Sequence, residues 1–239
     1  MFFGFYTLSL RMAATTCDLQ SCFLCRNCIP AWRELIAAKK QTISYKKGKI
    51  IFKEGDRVDG IFFLYEGPVK IYMHWGDQKE LILRFAKAGD VLGYRGLAGT
   101  QSYPISAEAM EDVKVCYIPN DLLEATLKTN PSFTYALMQI YAQDLQRTEK
   151  RMRDLVHMDV RGRIALGLLE IAEIFGLDNE KFIALSIQRQ DIAFYAGTTY
   201  ETVFKFFAEL TNKNIIHTSG KNIRINDPAA LKKFVTYHS

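Results

Sequence analysis

Residues 186–216 have the sequence SIQRQDIAFYAGTTYETVFKFFAELTNKNII, which predicts two short helices joined by a tight turn. The first helix is expected over about residues 188–195. Gly197 can adopt the left-handed backbone that ends a helix at little steric cost. Thr198 is then expected to cap the second helix, and Glu201, three residues later, to complete a capping box. Two helices around a glycine-containing turn form the helix-turn-helix signature, although an ordinary pair of packed helices has the same local features.

The second helix has two chemically different faces. Its inward face repeats apolar residues at helical spacing, at Val203, Phe207 and Leu210. Its outward face would enter a DNA major groove with the N-terminal residues first. The candidate DNA contacts on this helix, on the preceding helix and in the turn that follows are Gln188, Thr199, Tyr200, Glu201, Phe204, Lys205 and Lys221.

Residues 217–225 contain two short β-prone runs on either side of a Ser-Gly-Lys turn, which predicts a hairpin. A helix-turn-helix followed by a hairpin is a winged helix. From Leu185 onward the chain has seven Lys or Arg residues and four Asp or Glu residues. This basic surplus suits a phosphate surface, and it is also small enough to be ordinary solvated surface.

Composition limits the remaining possibilities. The 239 residues are 49% hydrophobic and 24% charged, with a formal net charge of +5, which predicts a globular chain of one large or two small domains. No apolar run is long enough to span a bilayer, so we expect no membrane partner. The first eleven residues lack a basic leader and a small-residue cleavage site. We therefore expect no signal peptide, a cytoplasmic location, and a start at either Met1 or Met12.

Five cysteines carry the clearest cofactor signal. Cys22, Cys25 and Cys28 are each separated by two residues, a spacing that resembles the start of a ferredoxin-type iron–sulfur ligand run. Either Cys116 or Cys17 could supply a fourth thiolate. A structural zinc site is an alternative, although zinc sites usually have two separated cysteine pairs, and a dithiol switch or an inert cluster without a cofactor is another. The odd number of cysteines disfavours a disulfide framework.

Residues 43–119 alternate short β-prone runs with glycine turns, which predicts an all-β barrel or jelly roll. Trp75, Gly76 and Asp77 are expected at the tip of a hairpin. The chain contains no dinucleotide-binding or phosphate-binding glycine loop, no Ser/His/Asp arrangement and no His-Glu-x-x-His motif. The sequence therefore predicts a protein that is not an enzyme.

Residues 120–157 are predicted to be helical, with Pro131 in the first turn of a long helix. A stripe with heptad-like 3-4-3-4-3 spacing, which we call the seam, consists of Met138, Tyr141, Leu145, Thr148, Met152 and Leu155. Such a stripe favours pairing with the same helix of a second copy, or else packing on the helix's own domain. A further helix, with Ile164, Leu168 and Ile171 on its apolar face, is expected to end at Gly176.

The order of these elements predicts an α+β chain. Its parts are a cysteine-containing segment (1–30), a β-roll sensor domain (31–130), a dimerisation helix (131–157) and a winged helix-turn-helix domain (158–239). The chain resembles the Crp/Fnr family of bacterial transcription regulators over about residues 17–225. The motifs that carry the resemblance are Tyr45-x-Lys47-Gly48 with Glu54-Gly55-Asp56, Gly89-Asp90-x-x-Gly93, Val115-Cys116-Tyr117-Ile118-Pro119, and Gly197-Thr198-Thr199-Tyr200-Glu201-Thr202-Val203. The resemblance implies a jelly roll of the cyclic-nucleotide-binding type, a homodimer on an inverted repeat in double-stranded DNA, and contact with RNA polymerase.

Cyclic-nucleotide-binding members of that family have a Glu directly after the glycine matched by Gly93, and an Arg-Ser pair further on. Here Tyr94 and Arg95 follow Gly93, and residues 103–106, Tyr-Pro-Ile-Ser, occupy the region of the pair. Measured against the family, the chain lacks the groups that would hold the ribose and the phosphate, so cyclic AMP is not an expected ligand. Gly93, Tyr94, Arg95 and Ser106 are candidates for the pocket of another effector, in which Arg95 either meets an anion or is an ordinary surface arginine.

The cysteines are similar to those of the oxygen-sensing FNR branch, in which three N-terminal cysteines and one barrel cysteine hold a [4Fe–4S] cluster. The resemblance implies Cys22, Cys25, Cys28 and Cys116 as ligands, with Cys17 as an alternate because the spacing departs from the branch pattern. A regulator of this kind would respond to oxygen or nitric oxide. The alternative is a regulator whose β-roll binds another small effector, with cysteines that are incidental or bind zinc.

The family resemblance also implies roles on the second helix. Glu201 would accept a hydrogen bond from a cytosine N4 amine. Lys205 replaces the Arg that is common in the family, and it can reach a guanine without the bidentate fork of Arg. Phe204 would touch a thymine methyl group or pack within its own domain.

Overall fold

The computed structural model describes residues 22–75, 79–97 and 101–236, in which a β-roll is followed by a long helix and a helical C-terminal unit. This architecture confirms the predicted α+β class with a β-roll and a winged helix-turn-helix. The helices are α1 (Phe23–Asn27), α2 (Pro30–Lys39), α3 (Asn120–Thr129), α4 (Pro131–His157), α5 (Val160–Phe175), α6 (Arg189–Ala196), α7 (Tyr200–Asn212) and α8 (Pro228–Lys232). The strands are β1 (Gln41–Tyr45), β2 (Ile50–Phe52), β3 (Gly60–Glu66), β4 (Val69–Trp75), β5 (Lys79–Ala86), β6 (Val91–Leu92), β7 (Ser106–Ala109), β8 (Val113–Pro119), β9 (Ile216–Ser219) and β10 (Asn222–Ile225).

The β-roll consists of two four-stranded antiparallel sheets with the orders β1-β8-β3-β6 and β2-β7-β4-β5. Aromatic side chains fill the space between them. The Phe52 ring stacks on Tyr103 with centroids 4.3 Å apart and on Phe62 at 5.6 Å. The Tyr103 hydroxyl donates to the Gly60 carbonyl at 2.9 Å, so this buried tyrosine has a partner for its polar atom.

Strands β4 and β5 pair from Val69 with Ala86 to Trp75 with Lys79. The predicted hairpin tip at Gly76 and Asp77 lies outside the described residues. The two candidate start residues and Cys17 also lie outside them.

Helix α4 begins with Pro131 at its first turn and packs its inward face on the β-roll. Phe133 is fully buried, and its ring lies 5.9 Å from that of Phe23 and 6.2 Å from that of Phe63. Leu137 and Asp144 continue this buried face along the helix. The long helix is therefore anchored on the same β-roll surface as the cysteine-containing helix α1.

The C-terminal unit shares a hydrophobic core with the outer surface of the second sheet. Ile164, Leu168 and Ile171 of α5 are fully buried, and α5 ends as predicted because Gly176 has a φ of 74°. Tyr72, Ile82 and Phe85 of the β-roll belong to the same core cluster. Within the described ranges, no helix combines the length and the apolar character needed to cross a bilayer.

Candidate nucleic-acid interface and cysteine cluster

The helix-turn-helix forms as predicted, with one correction at the cap. Gly197 ends α6 in the left-handed conformation with φ 62°. The Thr198 amide then donates to the Ala193 carbonyl at 2.9 Å, so Thr198 completes the end of α6. The cap of α7 is therefore Thr199, whose hydroxyl accepts from the Thr202 amide, and the predicted capping box of Thr198 with Glu201 is wrong.

Helix α7 separates its two faces sharply. Its buried residues, including one that the sequence analysis did not single out, are Val203, Phe206, Phe207 and Leu210. On the other face Glu201 and Lys205 are exposed, Tyr200 is 41% exposed and Phe204 is 55% exposed. The Tyr200 and Phe204 rings stack with centroids 6.2 Å apart. Phe204 thus contacts Tyr200 of its own helix and lies outside the buried core, so its contact with a thymine methyl group stays a prediction.

Glu201 is held as an anion at the start of α7. Its own amide and the Thr199 hydroxyl donate to the carboxylate, and the Lys205 ammonium lies nearby, so the pKa of Glu201 is lower than usual. An ionised carboxylate is purely a hydrogen-bond acceptor. The group is therefore chemically suited to an amine donor such as cytosine N4.

The other predicted DNA contacts are exposed on the neighbouring elements. Gln188 is exposed at the N-cap of α6, and Lys221 is exposed in the turn between β9 and β10. The Thr199 hydroxyl accepts the capping hydrogen bond from the Thr202 amide, and the residue is exposed. These positions match a winged helix whose hairpin flanks the reading helix, as predicted.

The seam is exposed along α4. Met138, Leu145 and Met152 are 57%, 61% and 63% exposed, Tyr141 and Leu155 are 38% and 37% exposed, and Thr148 is exposed as well. The helix therefore packs one face on its own β-roll and leaves a second, apolar face uncovered. Two of the seam residues also contact their own chain. The Tyr141 hydroxyl donates to the Tyr94 carbonyl, and Leu155 lies against the Gly197 turn.

The candidate effector residues make internal contacts. A β-carbon at Gly93 would lie 3.1 Å from the Tyr103 ring, which fills the space below this turn. Tyr94 is buried, and the Ser106 hydroxyl accepts from the Glu54 amide at 3.0 Å.

Arg95 forms an ion pair within its own chain, which corrects the alternative of an ordinary surface arginine, whereas its contact with an effector anion stays a prediction. Its Nε donates to the buried Asp144 carboxylate on α4 at 2.7 Å. Asp144 was not predicted as a partner of Arg95, although a polar residue at a buried position of the Phe133–Leu137 face was a usable signal. The pair joins the turn after β6 to the long helix.

Four cysteines lie in one buried cluster at the junction of α1, β8 and α4. Cys22 is the N-cap of α1, Cys25 lies within it, Cys28 is its C-cap, and Cys116 belongs to β8. Cys22 and Cys116 line the same pocket. Cys17, the predicted alternate ligand, is outside the described residues.

Four cysteines are the right type of ligand for a thiolate-bound metal centre, but their side chains are not arranged around one metal position. Burial raises the pKa of the Cys28 thiol to about 11; the charge of Arg33 opposes this shift and Cys22 adds to it. A metal would have to displace that proton. Within residues 22–75, 79–97 and 101–236, no three His, Cys, Asp or Glu side chains are grouped so that they could hold a metal ion. The four thiols of the described residues therefore share one buried cluster without being arranged as a ligand cage.

Comparison with known proteins covers both halves of the chain. A family model for a cyclic nucleotide-binding domain matches residues 42–130, and one for a Crp-like helix-turn-helix domain matches residues 162–234. Electron transport regulator A of Shewanella oneidensis is 30% identical over 177 residues, which cover 72% of this chain and 70% of the relative. A CRP-like cAMP-activated global transcriptional regulator of Mycobacterium tuberculosis is 27% identical over 182 residues, which cover 75% of this chain and 81% of the relative. The structure of FixK2 from Bradyrhizobium japonicum matches with a TM-score of 0.73 at 26% identity, over 84% of this chain and 99% of that one.

Proposed function

Because the chain belongs to the Crp/Fnr family and is therefore a DNA-binding transcription regulator rather than an enzyme, we propose that it binds an inverted-repeat operator as a homodimer under redox control. The observation that carries the DNA part is the exposed face of α7, where an ionised Glu201 and Lys205 stand beside two exposed aromatic rings. The exposed seam of α4 supports pairing with a second copy. RNA polymerase is a further proposed partner, by family resemblance.

The proposed base contacts follow from donor and acceptor chemistry. Glu201 accepts from a cytosine N4 amine, and Lys205 donates to the O6 or N7 of a guanine. Gln188, Thr199 and Lys221 contact the phosphate backbone and fix the register on the duplex. In a dimer joined along α4, the two copies of α7 would lie one turn of DNA apart, about 34 Å.

The proposed redox sensor is the cluster of Cys22, Cys25, Cys28 and Cys116, with Cys17 as an alternate. Its supporting observation is a direct connection to the start of α4. The Ile29 amide donates to the Asn130 side chain at 3.0 Å, and the Phe23 and Phe133 rings meet edge to face. A change at the thiols that moves α1 therefore also moves the first turn of α4.

Two chemistries are proposed for the thiols, and cyclic AMP is not proposed as a ligand. A [4Fe–4S] cluster, if bound, would supply a centre that oxygen or nitric oxide breaks, whereas a dithiol switch would need no metal. Activation by cyclic AMP, which the name of the Mycobacterium tuberculosis relative states, is not proposed for this chain. The aromatic packing of Tyr103 below Gly93 and the pairing of Arg95 with Asp144 occupy the groups nearest the expected site.

The test is to purify the protein without oxygen, measure iron and sulfide, record a visible spectrum, and titrate a selected operator before and after exposure to air. We expect DNA affinity to fall on exposure, and Cys116→Ser to abolish that fall while leaving anaerobic folding intact. Absence of iron with an air-sensitive affinity supports the dithiol chemistry. An affinity unchanged by air would reject redox control and leave DNA binding standing.

A further inference from the structure

We propose that two charged side chains hold α6 at its two ends, Lys70 of the β-roll and Arg151 of α4. By holding α6, they position the DNA-contacting helix α7. The inference rests on the proposed binding to an inverted repeat. The contacts involved are distinct from the seam and from the base contacts. They form two joints, one at each end of α6, that set the direction of α7 relative to the β-roll and to α4.

The first joint holds the N-terminal end of α6. Asp191 lies in the first turn of this helix and is 9% exposed, and its Oδ1 is 3.4 Å from the Nζ of Lys70 on β4. Lys70 is also 9% exposed, and it lies 3.3 Å from Glu80 and 3.4 Å from Glu108 on the neighbouring strands. Three carboxylates therefore converge on one ammonium group between the β-roll and the C-terminal unit. Removal of the ammonium would leave Asp191 buried opposite two like charges.

The second joint holds the C-terminal end of α6. Arg151, on α4, donates through Nη2 to the Tyr195 carbonyl and through Nη1 to the Leu83 carbonyl on β5 at 3.3 Å. Its guanidinium also lies over the Tyr195 ring, 4.3 Å from the centroid. One side chain thus connects the long helix, the β-roll and the helix-turn-helix, and its planar fork serves two acceptors at once.

The two joints fix more than α6 itself. Three residues separate the end of α6 from the start of α7, and Ile192 and Val203 of the two helices are both fully buried in one core. The two helices therefore pack as one unit. In a homodimer, the orientation of that unit on α4 determines the separation of the two copies of α7, and hence the spacing of half-sites that the dimer accepts.

The spacing preference is the measurable consequence. The test compares the wild type with Lys70→Met, Asp191→Asn and Arg151→Lys on three duplexes. These are the selected inverted repeat, the same repeat with one base pair added between its half-sites, and a duplex with a single half-site. Lys46→Met is the matched control, because Lys46 forms an exposed ion pair with Asp112 on the same β-roll.

We expect each joint variant to lose about tenfold of the preference for the native spacing over the lengthened one, while its affinity for the single half-site stays within about twofold. The Lys70→Met and Asp191→Asn losses are expected to be non-additive when combined, because they break the same contact. If Lys70→Met does not fold, Asp191→Asn provides the measurement, because it keeps the shape of the side chain. A retained spacing preference, or equal losses on all three duplexes, would overturn the proposed role of the two joints. A wild type without any sequence-specific binding would instead overturn the proposed function.

Discussion

Replacing Leu145 with alanine removes the central apolar side chain of the seam without touching the β-roll. The Leu145 side chain is 61% exposed, so most of its surface remains to be buried by a partner. Full burial of a leucine contributes about 1.5–3 kcal/mol. Scaled by that exposed fraction and doubled by two-fold symmetry, the contribution to pairing is about 2–4 kcal/mol. This corresponds to a dimerisation constant weakened roughly 30- to 700-fold, and the lower part of that range is expected because alanine keeps the β-carbon.

Sedimentation equilibrium over a series of protein concentrations measures this constant directly, and a gel shift with the inverted repeat measures its consequence for DNA binding. Gln146→Ala is the matched control, since Gln146 is exposed on the same turn of α4 but lies outside the seam. The control should pair like the wild type. If Leu145→Ala and Gln146→Ala dimerise with the same constant as the wild type, the seam is not the pairing surface and α4 has another partner.

Three further predictions concern the exposed face of α7. Glu201→Ala should cost about 1–3 kcal/mol of discrimination against operators in which the contacted cytosine is replaced, measured by competition between matched and altered duplexes. Because the folded-state pKa of Glu201 is lowered, its ionised form persists above the ordinary value of 4.5 and is lost only as the pH falls below it. The same discrimination by the wild type should therefore stay constant between pH 7 and pH 5.5, and a decline within that interval would contradict the assigned protonation state. Replacing the contacted thymine with deoxyuridine should cost the wild type about 0.8 kcal/mol, roughly fourfold in affinity, and should cost Phe204→Ala nothing; equal losses in both proteins would remove Phe204 from the interface.

The elements that the sequence predicted best are those specified by local chemistry. Gly197 marks the end of α6 because its backbone conformation is left-handed, and the apolar spacing from Val203 onward gives the buried face of α7. Pro131 marks the start of α4, and the seam spacing marks a face that stays exposed. None of these predictions requires knowledge of a distant residue.

The cap of α7 was misplaced by one residue because Thr198 and Thr199 have the same capping propensity. The difference lies in the hydrogen bond from the Thr198 amide to the Ala193 carbonyl, which commits Thr198 to the preceding helix. The helices α1 and α2 were also not predicted. Pro30 at the first turn of α2 was an available signal, but α1 is only five residues long and forms where its apolar side chains meet the β-roll.

The charged joints were missed for a different reason. Lys70 lies in β4 between apolar neighbours, and strand alternation places it on the outer surface of the sheet, where an isolated barrel would expose it to water. The C-terminal unit covers that surface, so the burial of Lys70 depends on a helix more than a hundred residues later in the chain. The pairing of Arg95 with Asp144 is a long-range contact of the same kind.

These contacts converge on α4, which physically connects the cysteine cluster and the β-roll with the helix-turn-helix. Along its length it meets the cysteine-containing helix through Phe133, the turn after β6 through Asp144, a second copy through the seam in the proposed dimer, and the helix-turn-helix through Arg151. A signal at the thiols can change DNA affinity only by as much as it favours one arrangement of these contacts over another. A shift from one per cent to ninety-nine per cent of the binding-competent state needs about 5.5 kcal/mol. The seam alone can supply a large part of that through a few apolar side chains. In the proposed dimer, a change at the cysteine cluster would therefore not need to reshape the β-roll if a displacement at the start of α4 altered seam pairing by a comparable free energy.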